Sequence, residues 1–563
     1  MRLHHESRPS IGLLAGALTL SIGLASGIGQ AAAAEGDTVP GAPWARLASD
    51  VGNSPLQPGI RRPAVLGYTN SYVYGAATPF GNSVEWKVSV DDAGYGEPTT
   101  LYIYWWNRDN DQFRWLNLPG GGFLATEVDV FGTAGAPIKI AVPDLADFCL
   151  FGDDGCAFGP YPGSLPQTTG QYALVFELRN SNGTQVIARD YALFSFVDAV
   201  VQKSGTINAN ETWTANNAYF LTTPVIVGNA TLTIQEGTFV LGSEAGQGLL
   251  NVSQQGAIQA VGTANKPIVF TSEKDRDDRS VGDWGGVSIN GEAPVNVPNP
   301  QGEGDTGTYG GENAGDNSGR LEYVRIEFAG VRFNDEDELN ALALQGVGSG
   351  TTVENIQTIS GADDGIEMFG GTVNGRNWFV YNANDDSIDW TFGWRGSVEN
   401  ACVVQTFGDT DAGIEADNNE DNPTLQPQSN PTFTNLAILS LTANDNPGMV
   451  IRRGSGVTIN NAGIVGAARA ALLIGGATSQ ANITLNDVLA FNVGALAALG
   501  DDDGADAVEI DAPPGLTAGN PRWADPTSVL HPDMAPLQGD NGCTTRANDW
   551  TQLPWVNYDA GPR

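Results

Sequence analysis

From about residue 66 to 200, short alternating or aromatic runs are separated by turn signals. Ser83-Val-Glu-Trp-Lys-Val-Ser-Val90, Thr100-Leu-Tyr-Ile-Tyr-Trp-Trp106 and Tyr172-Ala-Leu-Val-Phe-Glu-Leu178 are of this kind. The last run meets Asn180-Ser-Asn-Gly183 and continues as Gln185 to Phe196, which predicts a hairpin turning at Asn182-Gly183. Regularly spaced short strands without helical periodicity predict a β-sandwich over 66–200.

From about 205 the pattern changes to strands of three to five residues, each closed by Gly, Asn or Asp, such as Pro224-Val-Ile-Val227 and Thr238-Phe-Val-Leu241. Within it lies an internal repeat. Asp363-Asp-Gly-Ile-Glu367 returns as Asp385-Asp-Ser-Ile-Asp389 and as Asp411-Ala-Gly-Ile-Glu415, at offsets of 22 and 26 residues. Pro447-Gly-Met-Val450 continues the column without the carboxylate. A period in the twenties predicts a solenoid. A leucine-rich repeat would show Leu at fixed offsets and an Asn ladder, which the sequence lacks on this reading. A right-handed parallel β-helix over 205–535 fits, with 536–563 as a C-terminal tail packed on it. Stacking coils would turn Ile366, Ile388 and Ile414 inward as an aliphatic ladder that Met449 extends.

Composition agrees with an all-β chain of more than one domain. The 563 residues exceed one ordinary core, Gly is 72, and charged residues are only 16%. The net charge of −38 repels phosphate backbones and anionic lipid, which excludes nucleic-acid and polybasic membrane roles.

Arg2 and Arg8 precede an uncharged stretch, Ser10 to Ala34, that ends in four alanines before Glu35. This is a secretory signal pattern, so 1–34 is expected to be a signal peptide cleaved near Ala33 or Ala34. Residues 35–65, rich in Pro and Gly, are expected to be a linker. No second apolar stretch has spanning length, so no membrane span is expected after cleavage, and the expected location is secreted or cell-surface. The first cysteine is Cys149, far beyond the apolar run, which disfavours a lipid anchor. The three histidines are His4, His5 and His531, too few for a histidine zinc site or a Ser-His-Asp relay in the mature chain. Four cysteines in an exported chain suggest disulfides, expected as Cys149–Cys156 and Cys402–Cys543.

Four segments carry a resemblance: Pro267-Ile-Val-Phe-Thr-Ser272, Gly282-Asp-Trp-Gly-Gly-Val-Ser-Ile-Asn-Gly291, Gly319 to Gly330, and Asp363 to Thr372. With the ending Asp549 to Tyr558, they resemble a family of exported bacterial right-handed parallel β-helix proteins of lipoprotein or surface type. The resemblance covers about 220 to 560. It implies fold and export and transfers no activity. The chain departs from the family in lacking a lipidation cysteine and in having the N-terminal β domain.

With the isoleucines inward, alternation sends Glu367, Asp389 and Glu415 outward. Adjacent coils lie ~4.8 Å apart, so these anions repel unless solvent screens them or a cation bridges them. Asp363, Asp364, Asp385, Asp386 and Asp411 cluster at the preceding turn. Hard oxygen ligands from neighbouring loops suit Ca²⁺; the alternative is a solvated acidic face, since the chain has only five Lys beside 22 Arg.

Two enzymatic alternatives arise. The Asp-Asp-[Gly/Ser]-Ile segment resembles that of polygalacturonase-like hydrolases, where inverting carboxylates stand ~6.5–9.5 Å apart. The Gly-His-Gly and Arg-x-Lys elements of that family are absent. A polysaccharide lyase needs a cation and a base, and Arg452 or Arg453, near Asp417 on the next coil, is either that base or an ion-pair partner. Lyase therefore stands ahead of hydrolase.

Trp105 and Trp106 are adjacent and cannot both face inward on a regular strand, so one is a candidate to stack on a sugar or a partner. Trp378, Trp390 and Trp394 recur on the solenoid, with Trp390 expected inward. The insertion Asn296 to Gly319, rich in Gly, Asn and Asp, is expected to be a flap or disordered. Together these features predict an exported acidic protein with a non-enzymatic surface, adhesion or glycan-binding role. It would be Ca²⁺-stabilised, with an extracellular polysaccharide or cell-surface component as partner.

Overall fold

The computed structural model describes residues 64–75, 83–84, 86–91, 99–115, 128–129, 138–142, 156–158, 163–164, 168–180 and 186–559. Breaks fall at 335–336, 407–409, 443–444, 477–478, 480–481, 501–506, 522, 526–532, 537–541 and 545–549. The expected signal peptide and most of the expected linker, Cys149, His531 and the turn Asn182-Gly183 lie outside the described residues, as do the side chains of Trp105 and Cys156. The described residues are built almost wholly of strands. Among them no helix is long and apolar enough to cross a membrane.

The first strands form antiparallel sheets. Thr99–Asn107 lies between Gln112–Trp115 and Gly170–Asn180, and the latter pairs with Val186–Phe196. Ala64–Thr69 pairs with Trp86–Asp91 in a separate sheet. The two sheets face one another: Trp86 meets the Phe176 ring at 5.6 Å, and a Cβ at Gly67 would fall 2.0 Å from that ring. Only a residue without a side chain lets the layers approach so closely.

From Ala199 onward the main sheet pairs in parallel, coil upon coil. Among the described residues, antiparallel pairs occur there only in short side hairpins and at its end, where Ala497–Leu499 meets Val508–Glu509. Each central coil contributes one long bent strand and one short strand. The long strands are Thr352–Ile359, Asn374–Tyr381, Ser397–Gln405, Thr432–Ser440 and Val457–Val465. The short strands Leu342–Gln345, Ile366–Phe369, Ile388–Thr391, Ile414–Ala416 and Met449–Ile451 stack in the same way. This is a parallel β-helix. Ile366, Ile388, Ile414 and Met449 are register partners and fully buried, forming the inner ladder that alternation requires. Trp378, Trp390 and Trp394 are all buried inside the same core.

An asparagine ladder is present, contrary to the expectation from sequence. Asn355, Asn377, Asn400, Asn435 and Asn461 all have φ near +60° and bend the long strands. Each side-chain amide donates to the carbonyl oxygen of the Asn below, at 2.7–2.8 Å. Asn tolerates the left-handed conformation, and stacking satisfies its amide, so one residue serves both needs. The ladder marks the bend of a β-helix and does not signal a leucine-rich repeat.

Beyond the bend the long strands are apolar on both faces, as in Trp378-Phe-Val-Tyr381 and Leu436-Ala-Ile-Leu439. The outward residues Phe379, Tyr381, Cys402, Val404 and Leu439 therefore need a cover. Leu66 and Tyr68 from the first sheet supply part of it, and Trp550, Trp555, Val556 and Tyr558 of the tail supply the rest. Cys402 and Cys543 are joined in a disulfide with their Cα atoms 5.3 Å apart, tying the tail to this face. The tail then enters a buried polar seam. Gln357 and Asn557 exchange two hydrogen bonds, and Arg276 grips Asp559 at 2.7 Å while lying 3.8 Å over the Tyr68 ring.

Candidate functional site

The short strands form a face whose outward residues run, in register, Asn251, Ser288, Ala343, Glu367 and Asp389. A parallel column runs Asn290, Gln345, Phe369 and Thr391. The insertion 291–318 folds over these columns as a structured segment. Its Thr306 carbonyl accepts hydrogen bonds from Asn251 (2.6 Å) and Asn290 (2.9 Å), and Tyr309 packs edge-on against Phe369. Of the two expectations, a flap or disorder, disorder is thereby corrected. The outward side chains of this face supply the amide donors and the ring that seat the segment.

Under its edge lies an acidic centre. One carboxylate oxygen from each of Asp364, Glu367 and Asp389 lies within 4.8 Å of the other two, and the residues are 6%, 7% and 9% exposed. Asp364 also joins Asp363 and Asp385 in a second, more open group of equal closeness. The expected solvated acidic face is thus corrected at Glu367 and Asp389. They point away from the isoleucine ladder, as alternation requires, yet they are buried.

The repeated Asp-Asp pair has a structural origin. Asp364 Oδ1 accepts the amide of Asp386 on the next coil (3.0 Å), and Asp386 Oδ1 accepts the amide of Ala412 on the coil after (2.7 Å). Each second aspartate so ties its turn to the following one. Asn340 stands one coil earlier in the same column, since Leu342 pairs with Ile366. Its amide donates to Glu367 (2.6 Å) and to Glu303 of the inserted segment (3.1 Å).

Beyond Asp389 the face carries two arginines, each paired with carboxylates. Arg452 is buried and donates to Asp417 (3.1 Å) and to Glu415, and Arg453 donates to the other Asp417 oxygen (2.6 Å). Glu415 therefore turns to an arginine and stands outside the carboxylate groups. Asp411 stands outside them too, close enough to act on Asp386 by its charge.

Burial is the main cause that pushes these carboxyls up. Asp364, Glu367 and Asp386 are held well above the usual carboxylate range; their further causes are Asp363, Glu303 and Asp385 respectively. Asp389 is pushed up to about 7, by burial and then Asp417, while its hydrogen bond with Glu367 and the charge of Arg452 pull it down. Asp417 is also raised by burial, against the pull of both arginines. The centre thus holds more carboxyls than arginine charge, and at neutral pH it needs protons or a cation. Its donor set fits a hard cation such as Ca²⁺: carboxylates from two coils, with the Asn340 amide, whose Oδ1 is buried without a hydrogen-bond partner.

Other expected site residues fare differently. Trp106 is 0% exposed, packed near Tyr191 with its ring nitrogen directed at Asp111, so its ring is not open to a ligand. The expected Cys149–Cys156 pairing falls on Cys149 and the Cys156 side chain, both outside the described part of the chain. Asn340 and Glu303 went unrecognised in the sequence. A signal existed for Asn340, because Asn340-Ala-Leu342 is the preceding copy of Asp364-Gly-Ile366. None existed for Glu303, which lies in a Gly-rich insertion.

A family model described as a pectate-lyase-like β-helix domain matches residues 205–555. Among curated proteins none matches the chain. Among solved structures, the catalytic unit of a thermostable GH87 α-1,3-glucanase from Streptomyces thermodiastaticus strain HF3-3 aligns with 81% of this chain and 95% of its own. The identity is 12% and the TM-score 0.30.

Proposed function

We propose, from the premise that the chain belongs to the family of pectate-lyase-like β-helix domains, that it is an exported polysaccharide-binding protein whose acidic centre holds Ca²⁺. The observation that carries this reading is the closeness of the Asp364, Glu367 and Asp389 oxygens, within 4.8 Å and buried, beside an arginine already bonded to Asp417 and Glu415. Bound Ca²⁺ would supply a positive centre that neutralises these carboxylates and attracts anionic sugar. Asp364, Glu367 and Asp389 would hold it, with the Asn340 amide beside them. Two observations favour binding over catalysis. Arg452 stays charged between two carboxylates, which does not suit proton abstraction. The three carboxyls also crowd closer than the ~6.5–9.5 Å between inverting hydrolase carboxylates.

A lyase is the second reading, favoured by the charge of Arg452 acting on Asp389 at the rim of the centre. One experiment addresses both. The chain is stripped with chelator, titrated with CaCl₂ by calorimetry, and then tested for retention on immobilised uronate and neutral polysaccharides with and without Ca²⁺. Unsaturated product is followed by ultraviolet absorbance. Ca²⁺-dependent retention without product is expected. Product formation replaces binding by lyase chemistry, and absence of any Ca²⁺ heat removes the cation site.

A further inference from the structure

We infer that the outward face of the long strands ahead of the bend, centred on Thr432, Thr458 and Thr484, is a docking surface for packed chains of an uncharged polysaccharide. It is a second surface, separate from the acidic centre, and it needs no cation.

The face grows from a short repeat. Thr432-Phe-Thr-Asn435 returns as Thr458-Ile-Asn-Asn461 and as Thr484-Leu-Asn-Asp487. Alternation turns Phe433, Ile459 and Leu485 into the core and sends the residues on either side of each outward. Thr432, Thr458 and Thr484 are register partners on successive coils, and Thr434, Asn460 and Asn486 are register partners beside them. Coils lie ~4.8 Å apart, so hydroxyls and amides recur at that step across the sheet. All six residues are half-buried or exposed. The Asn486 amide donates to Asn460 at 2.9 Å, whereas the four threonine hydroxyls have no hydrogen-bond partner among the described residues. The other faces of the solenoid are occupied. The inserted segment lies over the short strands, and the first sheet and the tail cover the strands beyond the bend.

The distribution of charge selects the occupant. The chain has 65 Asp and Glu against 27 Lys and Arg, yet these two columns carry no charged residue on the three coils. On earlier coils the same columns hold charges that pair within the face. Arg320 bonds Glu322 at 2.6 Å, and Arg376 bonds Glu354 and has Glu399 as its register partner on the next coil. A polyanion or polycation finds no opposite charge at Thr458, and a protein partner finds no apolar centre to bury. The face offers groups that both donate and accept hydrogen bonds, in a plane and at a fixed repeat. Packed sugar chains offer the same through their hydroxyls. Strand propensity accounts for the threonines but not for Asn460 and Asn486, because strands disfavour asparagine. Backbone pairing and the core beneath already fix these strands, so docking has little left to order.

The test uses the full chain in chelator, where a cation site contributes nothing, as wild type, Thr458→Glu and Thr517→Glu. Thr517 is exposed and pairs with Leu489, beyond the bend, so its variant adds the same charge off the face. Each protein is mixed with microcrystalline cellulose, chitin and insoluble mannan at low and high NaCl, and the unbound fraction is measured. Wild type should be retained on at least one solid, and salt should not weaken retention, because no charge pair is screened. Thr458→Glu should bind that solid ~10-fold more weakly or worse, since a carboxylate pressed on an uncharged surface loses its hydration. Thr517→Glu should stay within about twofold of wild type, because an exposed charge off the face keeps its water. The joint variant Thr432→Ala, Thr458→Ala, Thr484→Ala removes hydroxyls without adding charge and should also weaken retention. Melting temperatures identify any variant that has lost its fold. No retention of wild type on any of the solids, full retention of folded Thr458→Glu and of the alanine variant, or an equal loss in Thr517→Glu overturns the inference. Retention that appears only with Ca²⁺ overturns it too, and leaves the cation reading of the acidic centre standing. A wild-type dimer in sedimentation that Thr458→Glu dissociates would give the face to a second copy of the chain instead.

Discussion

Glu367 and Asp389 are register partners on adjacent coils, and each of their buried carboxyls brings an oxygen within 4.8 Å of the other. Two carboxyls so close and so buried resist carrying two charges, and burial raises both above the usual carboxylate range. Protons and a divalent cation therefore compete for the same oxygens.

The pH dependence of stability in chelator follows. Unfolded carboxyls ionise near about 4, whereas folded Asp389 keeps its proton to about 7 and Glu367 is raised as well. Between those limits the folded state binds more protons, so stability should fall as pH rises from about 4 through 7. Ca²⁺ needs the ionised carboxylates, so its stabilising effect should grow over the same window. Melting temperatures in chelator and in Ca²⁺ across this range measure both trends. Asp389→Asn should flatten the chelator curve, and a wild-type curve already flat would contradict the proton-holding pair.

Arg452 stands between Asp417 and Glu415 with little solvent around it. Arg452→Met should cost roughly 3–5 kcal/mol, because it takes one of two arginine partners from the buried Asp417 and an arginine partner from Glu415. Adding Asp417→Asn should recover part of the loss, and denaturant melts of the single and double variants measure this. Equal stability of Arg452→Met and wild type would mean that Asp417 and Glu415 are already screened by water.

The asparagine ladder separates backbone strain from hydrogen bonding. Asn400 has φ 64° and bonds Asn377 below and Asn435 above. Asn400→Gly keeps the bend at no steric cost but loses both bonds. Asn400→Ala loses the bonds and adds about 1–2 kcal/mol of left-handed strain. The alanine variant should therefore melt lower than the glycine variant, and the reverse order would remove the strain argument.

The Cys402–Cys543 disulfide closes a loop of 141 residues. In the chain-entropy model its removal costs up to about 5 kcal/mol. Cys402→Ser with Cys543→Ser should lower the melting temperature. It should also raise quenching of tryptophan fluorescence, because Trp550 and Trp555 lose the anchor that holds them on Phe379 and its neighbours. Unchanged quenching would mean that the Arg276–Asp559 seam alone holds the tail.

Much of the solenoid was legible because its signals are local and repeat. Ile366, Ile388 and Ile414 recur with carboxylates beside them, and alternation alone assigns which faces inward. The asparagine ladder was not read because successive members stand 22, 23, 35 and 26 residues apart. The long step carries the insertion 417–431 between two coils, and insertion erases a period without disturbing the stack. Trp106 was one of two adjacent rings, and sequence could not say which of them the opposing strand covers.

The sequence by itself determined that Glu367 and Asp389 leave the core on the same face, since strand geometry makes that a matter of parity. Only the tertiary structure decided that they are buried there. Glu303 of the insertion and Asn340 one coil earlier lie beside Glu367, Asp417 and Arg452 of later coils act on Asp389, and nothing in the residues at 367 or 389 encodes any of them. Burial, and with it the demand for protons or a cation, depends on which distant backbone lies overhead. A side chain's direction is set by its own strand, while its dielectric surroundings are set by the rest of the chain.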